Sequence, residues 1–288
     1  MMQSEIKQRG IGIPKGTNII QDDEGRTYHV GIKKEEISNQ IILVGELSRA
    51  ERLVKLLEPE SVRQVGRTHR GFYTFTGTYK QEKITIMEIG MGLAMMDFAV
   101  REIAQVTMGD LKIVRLGSCG SINPNIPIGT VAVAENSVLV QTDYESFHKE
   151  KQKAQNYRIH KRVLSSSHSL LKKATSRLEA LHIPYFCGVD ITCDSFYASQ
   201  GRVDKQFEDH NESLIESLQK KFPNSSSMQM ETYQLYHLAD ILSGRKINAC
   251  AVAIVVAQRN STEFLSPQKR YEIEDKLGKV VLDCLVKN

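Results

Sequence analysis

From about residue 28 onward, short apolar runs alternate with stretches of helical period. Residues 41–45, 72–79, 83–89, 112–116, 130–134, 186–191 and 248–257 are rich in β-branched or aromatic residues, and most end near a glycine or polar residue. This pattern predicts strands. The stretch 247–257 is apolar almost throughout, as a strand buried on both faces must be. Between the strands, 94–107 carries apolar residues at 95, 96, 99, 100, 103 and 106, close to the 3.6-residue period. The stretches 170–181, 232–242 and 267–285 read likewise. A helix over 48–57 opens on Ser48, a residue able to cap it. Strands alternating with helices predict a layered α/β fold. No composition shift divides it, which predicts one domain over 28–288 behind a polar N-terminal arm, 1–27. The polar, basic stretch 144–161 reads as an exposed insertion or lid, and 223–227 as a loop.

Composition narrows the function classes. Apolar residues make up 41% and charged residues 25%, ordinary values for a globular chain. The net charge of +4 comes from basic residues that are scattered, apart from a cluster near 149–162. A nucleic-acid binder would carry its cations along one face, so none is expected as a partner. No run of 18 apolar residues exists, and the first 28 residues lack the apolar core of a secretory leader. The five cysteines are odd in number and form no CxxC pair, so reduced thiols in a cytoplasmic protein are expected. The eight histidines show neither HxxxH nor HExxH spacing, and no metal site is expected.

Candidate chemistry gathers just after apolar strands, where ligands bind in open α/β sheets. Gly45 and Arg49 flank the start of a predicted helix. Arg115, Gly117, Ser118 and Gly120 place a guanidinium, a hydroxyl and two glycines within six residues. Such groups suit a phosphate; two turns bearing surface arginines are the alternative. Neither cluster is a P-loop, since GxxxxGK[ST] is absent. Gly90-Met-Gly92 lacks the third glycine of a dinucleotide fingerprint and reads as a phosphate or ribose loop, or as a tight strand-to-helix turn. Cys119, inside the second cluster, and Cys193, just before Asp194, have no partner base suggested and read as small buried residues.

Three motifs, in order, carry a resemblance. Arg115-Leu-Gly-Ser118-Cys-Gly resembles the phosphate loop of uridine phosphorylases, and Asp194-Ser-Phe196-Tyr197-Ala-Ser-Gln200-Gly-Arg202 resembles their base-binding segment. Met228-Gln-Met230-Glu231-Thr resembles their sugar-binding Met-Glu pair. The match runs from about Tyr28 to the C-terminus and implies the nucleoside phosphorylase-I family. The implied fold is a single-domain, three-layer α/β structure whose mixed, partly barrel-like sheet is flanked by helices. The implied activity is reversible phosphorolysis of uridine to uracil and ribose 1-phosphate, with inorganic phosphate as co-substrate and no cofactor. By the same resemblance, Gly45, Arg49, Arg115 and Ser118 hold phosphate, joined by Arg70 from a neighbouring subunit. Met230 and Glu231 hold the ribose, with His29 reaching its 5′-hydroxyl across a homodimer or larger homo-oligomer. Phe196, Gln200, Arg202 and Arg259 hold the base. Arg115, Glu231, Gln200 and Arg202 are the expected catalytic set.

The rivals are a purine or broad-specificity nucleoside phosphorylase of the same fold, a nucleosidase, and a non-catalytic nucleoside-binding protein. The resemblance implies that a purine enzyme carries an Asp after the last buried strand, where this chain reads Val256-Ala-Gln258-Arg259. A nucleosidase would leave Arg49, Arg70 and Arg115 without a task. The chain departs from the family pattern at Gly45-Glu46-Leu47-Ser48-Arg49, where a proline is lost. Ser118 replaces a Thr, Gln229 replaces a Glu, and Gly71 stands where relatives use a Glu to bind potassium. No potassium site is therefore expected, and Gln229 leaves no second carboxylate beside the base pocket.

Overall fold

The computed structural model describes residues 16–66, 70–147 and 156–287. Parallel strands β1 (Gln40–Val44), β4 (Glu82–Glu88), β5 (Leu111–Ser121) and β11 (Ile247–Gln258) form the centre of one sheet. Antiparallel β3 (Thr74–Tyr79) and β2 (Arg63–Val65) extend it past β4. On the other side β6 (Val131–Thr142) pairs antiparallel with β11, and β9 (Tyr185–Cys193) and β10 (Ser225–Gln229) follow in parallel. β10 then meets β5 at Met228–Gly120, closing β5, β11, β6, β9 and β10 into a barrel-like ring. Two short strands, β7 (Tyr157–Ile159) and β8 (Val163–Leu164), pair with β6.

The pleat explains the three layers. Ile42 and Val44 of β1 face one core, while Ile41 and Leu43 face the other. The first core is covered by α1 (Leu47–Val54), α4 (His168–Ala180) and α7 (Pro267–Leu285). The second is covered by α2 (Leu93–Val106) and α6 (Thr232–Ile241). Tyr236 anchors α6: its buried hydroxyl donates to the Ala134 carbonyl at 2.6 Å and accepts from the Ala251 N–H at 3.0 Å. Of two smaller helices, α3 (Tyr144–Phe147) and α5 (Leu214–Lys221), the second buries Leu214 and Leu218 in an apolar cluster with Val138 and Val140 of β6 and Val189 and Ile191 of β9.

Several expectations are corrected. The cap of α1 is Glu46, and Ser48 sits inside the first turn. The Arg115-to-Gly120 motif is not a loop but the second half of β5. β6 continues far beyond residue 134, past a bulge at Glu135, because the polar run Glu135–Asn136–Ser137 hides it from a hydrophobicity reading. The stretch 223–227 is not all loop: β10 begins at Ser225 and is buried along its length. The stretch 144–161 is not simply exposed; Tyr157 is buried on β7, while Arg158 points out to Asp143 at 2.9 Å. Residues 148–155 lie outside the described residues. Of the arm, 1–15 also lie outside them, whereas Gln21 bridges to Thr27. Arg26 is buried with Nη1 on the Gly31 carbonyl at 2.6 Å and both amino groups on Glu36 at 2.7 Å.

Gly278 marks the closest approach of α7 to α1. A side-chain carbon there would stand 2.7 Å from Leu56 Cδ1 and 2.8 Å from Leu53 Cδ2. Gly278→Leu should therefore lower stability by about 1–3 kcal/mol through overpacking. Urea unfolding checks this; an unchanged midpoint would mean the two helices have slack to separate.

Candidate active site

The ends of β1, β5, β10 and β11 and the segment after β9 surround a cavity of about 260 Å³. Gly45, Arg49, Arg115, Ser118, Phe196, Gln200, Arg202, Met230 and Glu231 all line it. Residues from separate strand ends thus meet at one place, as the sheet topology requires.

One end is built on guanidinium groups. Arg49, in the first turn of α1, is buried, with Nε and Nη2 on Glu274 Oε1 at 3.0 and 2.9 Å and Nη2 on Glu46 Oε1 at 3.1 Å. Burial pulls its pKa down to about 10, which the Glu46 carboxylate opposes. Arg115 lies two residues before Gly117 on the same face of β5, and its guanidinium runs across the bare glycine. A side-chain carbon on Gly117 would fall 1.8 Å from Arg115 Nη1. The Arg-x-Gly spacing is therefore a steric requirement.

Arg115 Nη2 donates to Glu231 Oε2, and both side chains are buried. The other oxygen, Oε1, accepts from the Gly92 N–H at 2.8 Å. Gly92 is the N-cap of α2 at φ +98°, and Gly90 has φ +68°, conformations that glycine alone adopts readily. The Gly-Met-Gly turn thus holds the expected ribose glutamate through its backbone. Among the described residues, Arg115 Nη1 is buried without a hydrogen-bond partner.

At the opposite end Gln200 is buried. The Arg202 guanidinium lies 4.0 Å over the Phe196 ring, and its Nε donates to the Phe196 carbonyl at 3.0 Å. One ring face is thereby already covered. Burial lowers the pKa of Arg202, and burial with Arg202 beside it pulls Arg259 down to about 10. Arg259, expected at the base, does not line the cavity; its Nη2 donates to the Gly201 carbonyl at 3.4 Å and its Nη1 stands 3.7 Å from Met228 Sδ.

His29 and Arg70 do not join this cavity. His29 Nδ1 contacts Glu102 Oε1 at 2.7 Å, and its ring stacks on Phe98 at 4.1 Å. Arg70 is exposed, 5.5 Å over the Tyr28 ring. Sequence reasoning missed Arg270, which also lines the cavity and stands 3.6 Å from Glu46 and 3.7 Å from Glu274. Its i,i+4 spacing to Glu274 is the sole signal in the sequence, and such pairs are common on helix surfaces. Burial pushes the thiols of Cys119 and Cys193 up, so neither is a ready nucleophile. Among the described residues, no group of three His, Cys, Asp or Glu side chains could hold a metal, and no helix is long and apolar enough to cross a membrane.

A three-layer α/β domain with a closed five-strand barrel, presenting arginines and a buried glutamate at its strand ends, has the nucleoside phosphorylase fold. A family model described as the phosphorylase superfamily matches residues 40–285, and this chain belongs to that superfamily. A uridine phosphorylase of Thermococcus kodakarensis is 28% identical over 246 residues, spanning 85% of this chain and 82% of its own. A solved structure from a study of two uridine phosphorylases in the oomycete Phytophthora capsici is 32% identical, with a TM-score of 0.91, covering 96% of this chain and 99% of that one. A DeoD-type purine nucleoside phosphorylase of Caldanaerobacter subterraneus is 26% identical over 257 residues, 89% of this chain and 99% of its own.

Gly117→Ala should displace the Arg115 guanidinium while the strand persists. Calorimetric titration with inorganic phosphate should show affinity reduced about as far as in Arg115→Ala. Undiminished binding in Gly117→Ala would mean the guanidinium's position is not what captures the anion.

Proposed function

We propose that this chain is a pentosyltransferase that cleaves uridine reversibly with inorganic phosphate, giving uracil and ribose 1-phosphate. The observation that carries the reading is Arg115: its Nη2 grips Glu231, and its Nη1 is left buried and unpaired in the same cavity as Arg49 and Ser118. A cation so placed can bind an anion and orient the sugar carboxylate together. The uridine phosphorylase relatives agree with this assignment.

The chemistry follows from these positions. Arg49, Arg115, Ser118 and the Gly45 backbone hold phosphate beneath C1′, with Arg70 from a second copy. Glu231 accepts from the ribose 3′-hydroxyl, Met230 packs on the sugar, and His29 of a second copy meets the 5′-hydroxyl. A phosphate oxygen forms its bond to C1′ as the bond to uracil N1 breaks, and the electron pair leaves on the base. Gln200 pairs with N3–H and a carbonyl. Arg202 and, behind it, Arg259 stabilise the charge gathering on the base oxygens. Positioning and fixed charge supply the catalysis, and no cofactor is required.

A purine substrate would call for an acid at the base end. Among the described residues lining the cavity, the carboxylates are Glu46 and Glu231. Gln258, near the position where a purine enzyme's Asp is expected, spends its amide N–H groups on the Asn123 and Ile126 carbonyls at 2.9 and 3.0 Å. Pyrimidine cleavage is favoured accordingly. The proposal extends to a cytoplasmic homodimer or larger homo-oligomer acting in pyrimidine salvage; the described cysteines are all free thiols, in keeping with a reducing compartment.

Uridine consumption should depend on added phosphate and exceed that of inosine; equal loss in phosphate-free buffer would overturn the reading. Arg115→Ala should lower kcat/KM on the order of 10²–10³-fold, the effect of removing a preorganised charge donor. If sites are shared, Arg70→Ala and Arg115→Ala subunits should each be weak, yet regain activity when mixed and allowed to exchange. Failure of an exchanged mixture to recover would assign Arg70 to its own subunit or to no site.

A further inference from the structure

The barrel interior holds a carboxylate that the chemistry above does not use. Asp190 on β9 is fully buried, and its four lone-pair directions are all taken. Its Oδ1 accepts from Ser227 Oγ at 2.6 Å and Gln229 Nε2 at 2.7 Å. Its Oδ2 accepts from Ser137 Oγ at 2.7 Å and Thr192 Oγ1 at 2.6 Å. Burial pushes the carboxyl up, and these four donors offset that only in part.

The consequence falls on Gln229. Its second amide hydrogen goes to Thr232 Oγ1 at 2.8 Å, so both donor positions of the amide are engaged inside the protein. A carboxylate neighbour permits no reversed amide, because the Gln229 carbonyl would then face Asp190. The carbonyl oxygen is therefore turned away from the barrel interior. Among the described residues it is buried without a partner, on a side chain that lines the cavity. A fixed, pure acceptor of this kind repels phosphate and the base carbonyls and selects an O–H or N–H. Gln229 ends β10 and Glu231 follows two residues later as the N-cap of α6, and both line the cavity. Its neighbour in the site is thus the sugar glutamate, while the base N3–H falls to Gln200.

We infer that Gln229 accepts a hydrogen bond from the ribose 2′-hydroxyl, that it makes the site prefer ribonucleosides to 2′-deoxyribonucleosides, and that Asp190 is the positioning residue that fixes its amide. This rests on the reading of the cavity as a nucleoside site. A 2′-deoxyribose would leave the carbonyl buried and unsatisfied, a loss of roughly tenfold in affinity. The Glu expected by family resemblance at this position could not share the arrangement, because it would set a second carboxylate against Asp190.

Calorimetry without phosphate tests this with uridine, 2′-deoxyuridine and 3-methyluridine. The unaltered protein should bind uridine roughly tenfold more tightly than 2′-deoxyuridine. Gln229→Met should bring that ratio close to one, with 2′-deoxyuridine binding as a control for folding, and should leave the ratio of uridine to 3-methyluridine unchanged. Asp190→Asn, which contacts no substrate but frees the amide to turn, should also narrow the sugar ratio. Equal binding of the two sugars by the unaltered protein overturns the inference. So does a ratio that survives Gln229→Met, or a change confined to the 3-methyluridine comparison. Binding of no nucleoside overturns it together with the proposed function. Uridine bound with the stated preference but never cleaved in phosphate would sink the phosphorolysis reading alone.

Discussion

The buried pair between Arg115 and Glu231 is the constraint around which the rest of the molecule is arranged. Arg115 belongs to β5 and Glu231 follows β10, the two strands whose single contact closes the barrel. Burying a carboxylate and a guanidinium costs several kcal/mol per ion, recovered only with close geometry and further hydrogen bonds. Those further bonds explain other local features. Gly92 supplies an N–H at the start of α2, and Gly117 leaves room for the guanidinium to lie flat. Loss of either partner would strand the other charge in the interior, so the pair binds fold closure and chemistry to one another.

The barrel contrasts with the two apolar cores that support it. β10 reads Ser-Ser-Ser-Met-Gln and is buried at every position, a composition that would be poor in an ordinary sheet. Asp190 takes up the Ser227 hydroxyl and the Gln229 amide N–H, and Ser226 Oγ donates to the Val189 carbonyl at 3.4 Å. A fully satisfied polar network has one arrangement, whereas a partly satisfied one has several. The hydrophobic layers therefore set the position of the strands, and the polar cluster sets the orientation of the groups at their ends.

This division also explains what the sequence discloses. The central strands and long helices were legible because they bury apolar residues at regular periods, and α7 runs over the whole of its expected span, 267–285. β10 was hidden because most of its buried residues are polar, and the far half of β6, which buries Val138, Leu139 and Val140, because the polar run 135–137 interrupts the apolar pattern. β7 was hidden for a different reason, with three residues too short to show a period. Within the site, glycine spacing and family resemblance pointed to nine residues that do share the cavity. Arg270 escaped because an i,i+4 pair to Glu274 is commonplace, and Asp190 because three of its four partners, Ser137, Ser227 and Gln229, are distant in sequence. His29 and Arg70 were legible as motif positions, yet within one chain they stand apart from the cavity.

The electrostatics of the phosphate end give that arrangement a physical reason. Within one chain the cations there are already matched: Arg49 by Glu274 and Glu46, and Arg115 by Glu231, while Arg270 stands close to both Glu46 and Glu274. A dianion entering such a neutralised cluster gains little unless the balance changes. Two changes are available. Glu46, more than a third exposed and held by arginines that prefer a bidentate partner, can yield its place at the rim. An exposed arginine from a second copy can add charge without bringing a carboxylate of its own. Both would keep the empty site neutral, and under the proposed sharing of sites tight anion binding would belong to the assembly rather than to one chain.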